Sequence, residues 1–435
     1  MPKHVLRRST YTWLSLRLWK KRLIFWSGAL AIGLVAILFA LGSDYAHDAF
    51  QKIAGKSLYL PLIVSPLGLA LVVYLTRRFF AGSEGSGIPQ TIAAIQMSDA
   101  SKRNSVLSLK IAIGKIFLTL IALATGASVG REGPTVQIGA SIMHSIGKFG
   151  HFSRLEVERS LILAGGAAGV AAAFNTPLAG VVFAIEEMSR SFEHRTSGTV
   201  LTAVIVAGIT SLALLGNYTY FGHTTATLVF DQAWGVVLVC GLVGGIMGGI
   251  FSRALIASVK IFPPKYQELA LRYPVRFAAL CGLALAIIGI LSGGTTYGTG
   301  YYEARQILEG TAHLPETYGI LKMLATIVSY LSGIPGGIFA PSLAIGAGFG
   351  ANLSAIFPDV AIGAIVTLGM VAYFAGVVQA PITAFVIVME MTDNHTMAIP
   401  LMATALLAYA TSHLVCPTPL YKSLSNRFLG RVDTR

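Results

Sequence analysis

The stretch GASVGREGPTVQIG, residues 126–139, decides how this chain is read, because it returns as GIPGGIFAPSLAIG at residues 333–346. With Pro134 set on Pro341, Gly126 falls on Gly333, Gly130 on Gly337, Thr135 on Ser342, Gly139 on Gly346 and Ala140 on Ala347. With Pro177 set on Pro381, Asn175 falls on Gln379, Val182 on Val386 and Glu186 on Glu390. Both registers give nearly the same offset, so the halves read as copies of one unit. Paired segments broken by Gly and Pro in an apolar chain are the mark of inverted repeats. They place a site near the bilayer midplane, between half-helices whose N-termini point inward.

The surroundings of these stretches are apolar. Hydrophobic residues make up 54% of the 435 positions and charged residues only 12%, about half the roughly 25% of a soluble domain. Apolar blocks near the length of about 20 residues needed to span a bilayer lie at 23–41, 58–75, 106–125, 200–215, 234–256, 277–291, 360–378 and 398–415. The expectation is an all-α polytopic membrane protein. The 47 glycines let helices approach closely and let them begin or break inside the membrane. Cys240, Cys281 and Cys416 are far apart and form no CxxC, so they read as small buried hydrophobes.

A net charge of +13 raises the question of nucleic acid, and its placement argues against it. Lys3, Arg7, Arg8, Arg17, Lys20, Lys21 and Arg22 precede the first block, and Arg77 and Arg78 follow the second. Arg190 and Arg195 share one loop; Lys260, Lys265, Arg272 and Arg276 share another. Residues 216–231 carry no Lys or Arg, and 292–314 only Arg305. This alternation follows the positive-inside rule and puts both termini in the cytoplasm, including the tail with Lys422, Arg427, Arg431 and Arg435. Residues 5–20 read as an amphipathic helix on the anionic inner leaflet rather than a signal peptide. The expected division is a cytoplasmic segment at 1–22, a first transmembrane repeat at 23–215, a second at 232–415, and a C-terminal helix and tail at 416–435.

Three Gly/Pro clusters share a design: GSGIP at 85–89, GREGP at 130–134 and GGIFAP at 336–341. Proline suits the first turn of a helix, where its missing N–H has no partner to lose. The neighbouring N–H groups stay free, and the positive end of the helix dipole faces the gap. Several such ends converging make an anion site without a full buried positive charge.

These three clusters and a late Pro419-Leu420-Tyr421, in that order, resemble the signature set of the CLC family of chloride channels and proton–chloride exchangers, over all of the chain but its N-terminal segment. The resemblance implies a fold of two inverted repeats, a homodimer with one pore per subunit, and chloride and protons as transported ions. No cofactor, metal, nucleic acid or enzymatic activity is implied. Ser86 and Tyr421 correspond to hydroxyl donors for a central anion, and the N–H groups of Ile338 and Phe339 to its amide donors. Neutral donors bind an anion without trapping it.

Glu132 stands among the helix N-termini, where a carboxylate competes with an anion for the same field. Charged, it occupies the path; protonated, it can leave. It reads as the gate and outer proton site. Arg131 and Lys115 read as contributors to the attracting field. Glu186 and Glu187 end an apolar run and match the segment that bears the inner proton site in exchangers, Glu187 being the better match and Glu186 its neighbour. Gln90 stands where many relatives have a glutamate, which bears on the charge of the inner vestibule. The expected function is exchange of chloride for protons across a bacterial inner membrane. A passive voltage- or pH-gated chloride channel on the same fold is the alternative. Within the family that the chain resembles, fluoride exchangers lack the serine pattern of GSGIP and proline at the Ser86 position accompanies nitrate preference, so Ser86 implies neither fluoride nor nitrate. Without an HExxH, or a GxSx motif with a repeat-supported His partner, an intramembrane hydrolase is not supported.

Overall fold

A computed structural model describes residues 16–433 apart from 151–154, 190–193, 217, 218, 229, 262 and 313. It is helical nearly throughout. The first half holds α1 (Leu16–Lys56), α2 (Pro61–Phe79), α3 (Ile88–Gln96), α4 (Ala100–Val106), α5 (Leu109–Ala124), α6 (Glu132–Phe149), α7 (Leu155–Phe174), α8 (Pro177–Phe183) and α9 (His194–Leu215). The second holds α10 (Phe230–Ala257), α11 (Pro264–Arg272), α12 (Pro274–Leu291), α13 (Tyr301–Leu308), α14 (Tyr318–Leu331), α15 (Phe339–Ser354), α16 (Ile362–Val378), α17 (Pro381–Thr392), α18 (Ala398–Val415) and α19 (Leu420–Asp433).

Among the described residues, eight helical stretches are long and apolar enough to cross a membrane. Seven coincide with blocks expected from the sequence. The eighth, Leu155–Phe174, opens with Glu156, Glu158 and Arg159 and continues in Gly and Ala, so it lacks the bulky apolar look of a span. It is buried inside the protein from Leu161 to Phe174. The block at 360–378 is instead a shorter helix, Ile362–Val378, buried along nearly its whole length. Lipid-length helices on the outside carry exposed Leu38, Leu67, Phe117 and Ile209, as a hydrocarbon-facing surface should.

Residues 1–15, and with them most of the amphipathic helix expected at 5–20, lie outside the described residues. From Leu16 onward the chain is part of α1. Arg190 and Arg435 also lie outside them, and Arg195 falls in the first turn of α9. The three cysteines are buried and free.

The two halves repeat in three dimensions. Helix α6 packs on α7 as α15 packs on α16, and α7 packs on α9 as α16 packs on α18. Asn175 and Gln379, equated by the sequence register, share a left-handed φ of 56°. Gly126 and Gly333 have φ of 90° and 84°. Gly130 and Gly337 pair antiparallel, each N–H donating to the other's carbonyl at 2.7 Å. Antiparallel pairing of equivalent residues requires a local twofold axis between them, which is the geometry of an inverted repeat.

Glycine permits the crossings. A Cβ on Gly139 would lie 2.2 Å from the Gly165 carbonyl oxygen, and one on Gly346 would lie 2.6 Å from that of Gly369. Each half therefore crosses its two innermost helices at a matched glycine pair, in backbone contact. Gly139→Ala cannot be accommodated by a rotamer change, because the atom it meets is backbone. Overpacking of this kind costs about 1–3 kcal/mol. The expected result is a clear fall in the detergent-solubilised Tm; an unchanged Tm would mean that the helices stand further apart.

Candidate anion-binding site

Three Gly/Pro loops meet because their backbones hydrogen-bond to one another. Gly85 N–H donates to the Ile334 carbonyl (3.1 Å), and Gly336 N–H donates to the Gly85 carbonyl (3.0 Å). The reciprocal Gly130–Gly337 pair joins the remaining loop. These loops end in the N-termini of α3, α6 and α15, so three helix N-termini face one small volume. The packing is tight enough that a Cβ on Gly133 would lie 2.4 Å from the Ser86 Oγ and 3.2 Å from the Gly337 Cα.

Ser86 and Tyr421 bring hydroxyls to this place from residues more than 300 positions apart. Both are buried, at 2% and 0% exposure. The two hydroxyls lie toward one another, and neither makes a hydrogen bond elsewhere among the described residues. Tyr421 is held by the packing of its ring against Phe339, with centroids 5.9 Å apart. Ile338 caps α15 and Phe339 begins it. The helical ladder starts with Ser342 N–H donating to the Ile338 carbonyl, so the earlier amides are not used by the helix itself. The four residues carried over for anion binding are thus gathered around one point.

Glu132 is the first residue of α6, after the N-cap Arg131, and it is 0% exposed. The Tyr220 hydroxyl donates to its Oε1 at 3.0 Å. Its own N–H and that of Ala340 also point at the carboxylate. A Cβ on Gly130 would come within 2.3 Å of Glu132 Oε2, so the glycine leaves the room that the carboxylate occupies. Arg131 turns the other way: its Nη1 donates to the Ala40 carbonyl (2.9 Å) and to Asp44 Oδ1 (2.7 Å).

Lys115 acts through the loop. Its fully buried Nζ donates to the carbonyls of Ser83 (2.7 Å), Glu84 (3.3 Å) and Gly85 (2.7 Å). Its charge lies under the Ser86 loop, and its hydrogen bonds fix that loop's shape. Gln90 sits inside the same turn: its Oε1 accepts from Gly87 N–H at 3.1 Å and its Nε2 donates to the Glu84 carbonyl. It is fully buried, so it is a brace within the loop and contributes no side chain to a vestibule.

Glu186 and Glu187 part company. The turn Ala184–Ser189 is π-helical, a widened form frequent at functional sites. Glu186 reaches across to the other half, accepting from the N–H groups of Ile382 (3.1 Å) and Thr383 (2.6 Å) and from the Thr383 hydroxyl (2.7 Å). Its repeat mate Glu390 does the same in reverse, accepting from Leu178 N–H (3.1 Å) and Ala179 N–H (2.7 Å). The two carboxylates cap α17 and α8 reciprocally across the twofold axis. Glu187 is instead buried, at 3% exposure, within electrostatic reach of the Tyr421 hydroxyl, as is Glu132. Tyr421 therefore has two candidate proton sites within electrostatic reach.

The sequence reading passed over Tyr220, Asp44 and Lys322. Lys322 carried a signal, since it stands at the same offset from Lys115 as Pro341 from Pro134. It donates to the carbonyls of Thr296 (2.9 Å), Tyr297 (3.4 Å) and Gly298 (2.8 Å). Gly298 and Gly300, with φ of 68° and 81°, match Gly85 and Gly87, at 63° and 99°. The second half thus has its own copy of the stapled loop. There the residue three past the cap is Glu303, a buried acid in the first turn of α13, so the chain's own charge answers that helix end. Tyr220 and Asp44 carried no signal, because neither belongs to a motif.

Residues 68–413 match the family model described as voltage gated chloride channel. The chain is similar to the "H(+)/Cl(-) exchange transporter ClcA" of Yersinia pseudotuberculosis serotype IB (strain PB1/+), with 31% identity covering 92% of this chain and 86% of that protein. The protein of the same name from Cronobacter sakazakii (strain ATCC BAA-894) is 33% identical, over 84% of this chain and 79% of its own. Among solved structures, a slow cyanobacterial Cl-/H+ antiporter superposes with a TM-score of 0.80 at 27% identity, covering 95% of this chain and 99% of that one. A CLC-type fluoride/proton antiporter has a TM-score of 0.79 at 22% identity, over 93% and 98%, a likeness of fold alone.

Proposed function

Because this multi-pass membrane protein belongs to the voltage gated chloride channel family, we propose that it exchanges chloride for protons across a bacterial inner membrane. One observation carries the reading: three helix N-termini and two hydroxyls converge on a point flanked by two buried carboxylates, Glu132 and Glu187. The amides and hydroxyls hold chloride by neutral donors, weakly enough for release. Glu132 competes with chloride while charged and vacates the path when protonated. Glu187 takes protons from the cytoplasmic side and passes them toward Glu132 past Tyr421. Arg131 and Lys115 add positive field, Lys115 from beneath its loop. Glu186 is a helix cap in this scheme and carries no proton. The ions are the only small partners; no cofactor takes part. Both termini lie in the cytoplasm, as the basic segments favour, and the link 216–231, without Lys or Arg, puts the cavity lined by Asp44, Arg131, Tyr220 and Tyr301 on the outer side. Two copies form a homodimer with a separate path in each, as the family resemblance implies.

The test is proton movement driven by a chloride gradient in proteoliposomes. Uphill proton uptake supports exchange. Chloride flux with no proton movement would replace it with the channel reading. Tyr421→Phe is expected to weaken chloride binding by roughly tenfold, the loss of one hydrogen bond to a charged group. Calorimetric binding equal to wild type would remove this hydroxyl from the site.

A further inference from the structure

Tyr220 stands in the link between α9 and α10, a segment without Lys or Arg that the sequence leaves unassigned. It is 1% exposed. Its ring lies edge-on to Phe174 (5.5 Å), Phe221 (4.9 Å) and Tyr301 (4.9 Å), and the Arg131 guanidinium sits 5.6 Å from its centroid. Its backbone neighbour is tied down too, Phe221 N–H donating to the Met391 carbonyl at 3.0 Å. The hydroxyl is therefore placed before any ion arrives, and it donates to Glu132 Oε1, at 3.0 Å. On its other side Tyr220 lines the cavity shared with Asp44, Arg131 and Tyr301.

We propose that Tyr220 is the latch of the gate: its O–H donates to the ionised Glu132 carboxylate, holds it in the ion path, and lets go when that carboxylate takes up a proton. This deepens the exchanger reading and rests on it. The physical reason is a difference between two charge states. A hydrogen bond to an ionised carboxylate is about twice as strong as one to a neutral group, so the same tyrosine grips the closed gate and grips the protonated one far less. A group that hydrogen-bonds the charged form also makes protonation harder. Tyr220 thus sets both how long the gate stays shut and the pH at which it opens. Among the described residues, the other charged or titratable groups around the pair are Arg131 and its partner Asp44, Tyr421, and Tyr301 with its neighbour Tyr302 and with Arg305 on its hydroxyl. None of these is altered by removing one phenolic oxygen.

Tyr220→Phe keeps every ring contact and deletes only the donor. Four full-length proteins are reconstituted and compared across pH: wild type, Tyr220→Phe, Glu132→Gln and the double variant. Chloride and proton fluxes are read from the same vesicles. Tyr220→Phe is expected to run about tenfold faster near neutral pH, the loss of one charge-assisted hydrogen bond, with its half-maximal pH raised by about one unit. The ratio of chloride to protons should stay that of wild type. In the Glu132→Gln background, where no ionised gate exists, the same substitution should change neither rate nor pH profile. A Tyr220→Phe protein with wild-type rate and wild-type pH profile would overturn the latch while leaving exchange standing. So would an acceleration that persists with Glu132→Gln, since the hydroxyl would then act elsewhere. Wild-type protein that moved no chloride would overturn the exchanger reading and the latch with it.

Discussion

Glu132→Ala is expected to pass chloride while moving no protons. The reason lies in what the carboxylate does in each form. It occupies space beside Gly130, where a Cβ would come within 2.3 Å of it, and it receives the Tyr220 hydroxyl and backbone N–H groups. A methyl group neither fills that volume nor carries a proton. Chloride can then take the N–H groups that the carboxylate held. Proton flux should fall to the vesicle background, while chloride flux remains and loses its dependence on pH in the range where Glu132 titrates. Retained uphill proton transport in this variant would falsify the gate assignment.

Glu187→Gln is expected to abolish proton transport while slower or uncoupled chloride movement continues. The carboxyl is buried at 3% exposure, within electrostatic reach of Tyr421, and the amide has the same shape without a transferable proton. Glu186→Gln should act differently. Its carboxylate caps α17 with three hydrogen bonds, and an amide keeps one acceptor oxygen of the two. Losing a charged cap costs about 1 kcal/mol, so the expected change is a lower Tm with the ion ratio preserved. Both fluxes and thermal melts on both variants separate the roles. Proton loss in Glu186→Gln with intact transport in Glu187→Gln would reverse the assignment. Intact proton transport in both would move the route elsewhere.

The Glu186–Glu187 pair also shows where reading a sequence stops. Adjacent residues on a helix point about 100° apart, so only one of them can face a given place. Which one does so depends on the widened turn at Ala184–Ser189 and on the position of α17, almost 200 residues later. The repeat register alone equates Glu186 with Glu390, yet their shared task, each capping a helix of the other half, appears only when the halves are assembled. Lys115 gives the same lesson. A lysine in an apolar helix reads as a source of field, and three carbonyls of the Ser83–Gly85 turn around its Nζ make it a staple as well. Gln90 reads as a missing charge and turns out to be an internal brace.

By itself the sequence determined the membrane class, the two matched halves, the three helix starts and the identity of Glu132 as a carboxylate among them. These follow from local rules. Apolar length sets a span, proline and glycine set where a helix begins, and equal offsets reveal a duplicated unit. Tertiary structure alone decided which atoms meet. The Gly85 and Gly130 backbones each join the Ile334–Gly337 loop through hydrogen bonds between segments about 205 to 250 residues apart, Ser86 and Tyr421 face one another, and Tyr220 reaches Glu132 from a loop with no motif. Such contacts have no local sequence signal, because the φ and ψ preferences of a segment say nothing of what packs against it. They arise from helix crossings as close as Gly139 on Gly165 and Gly346 on Gly369, where the absence of a side chain sets the distance and the distance sets the site.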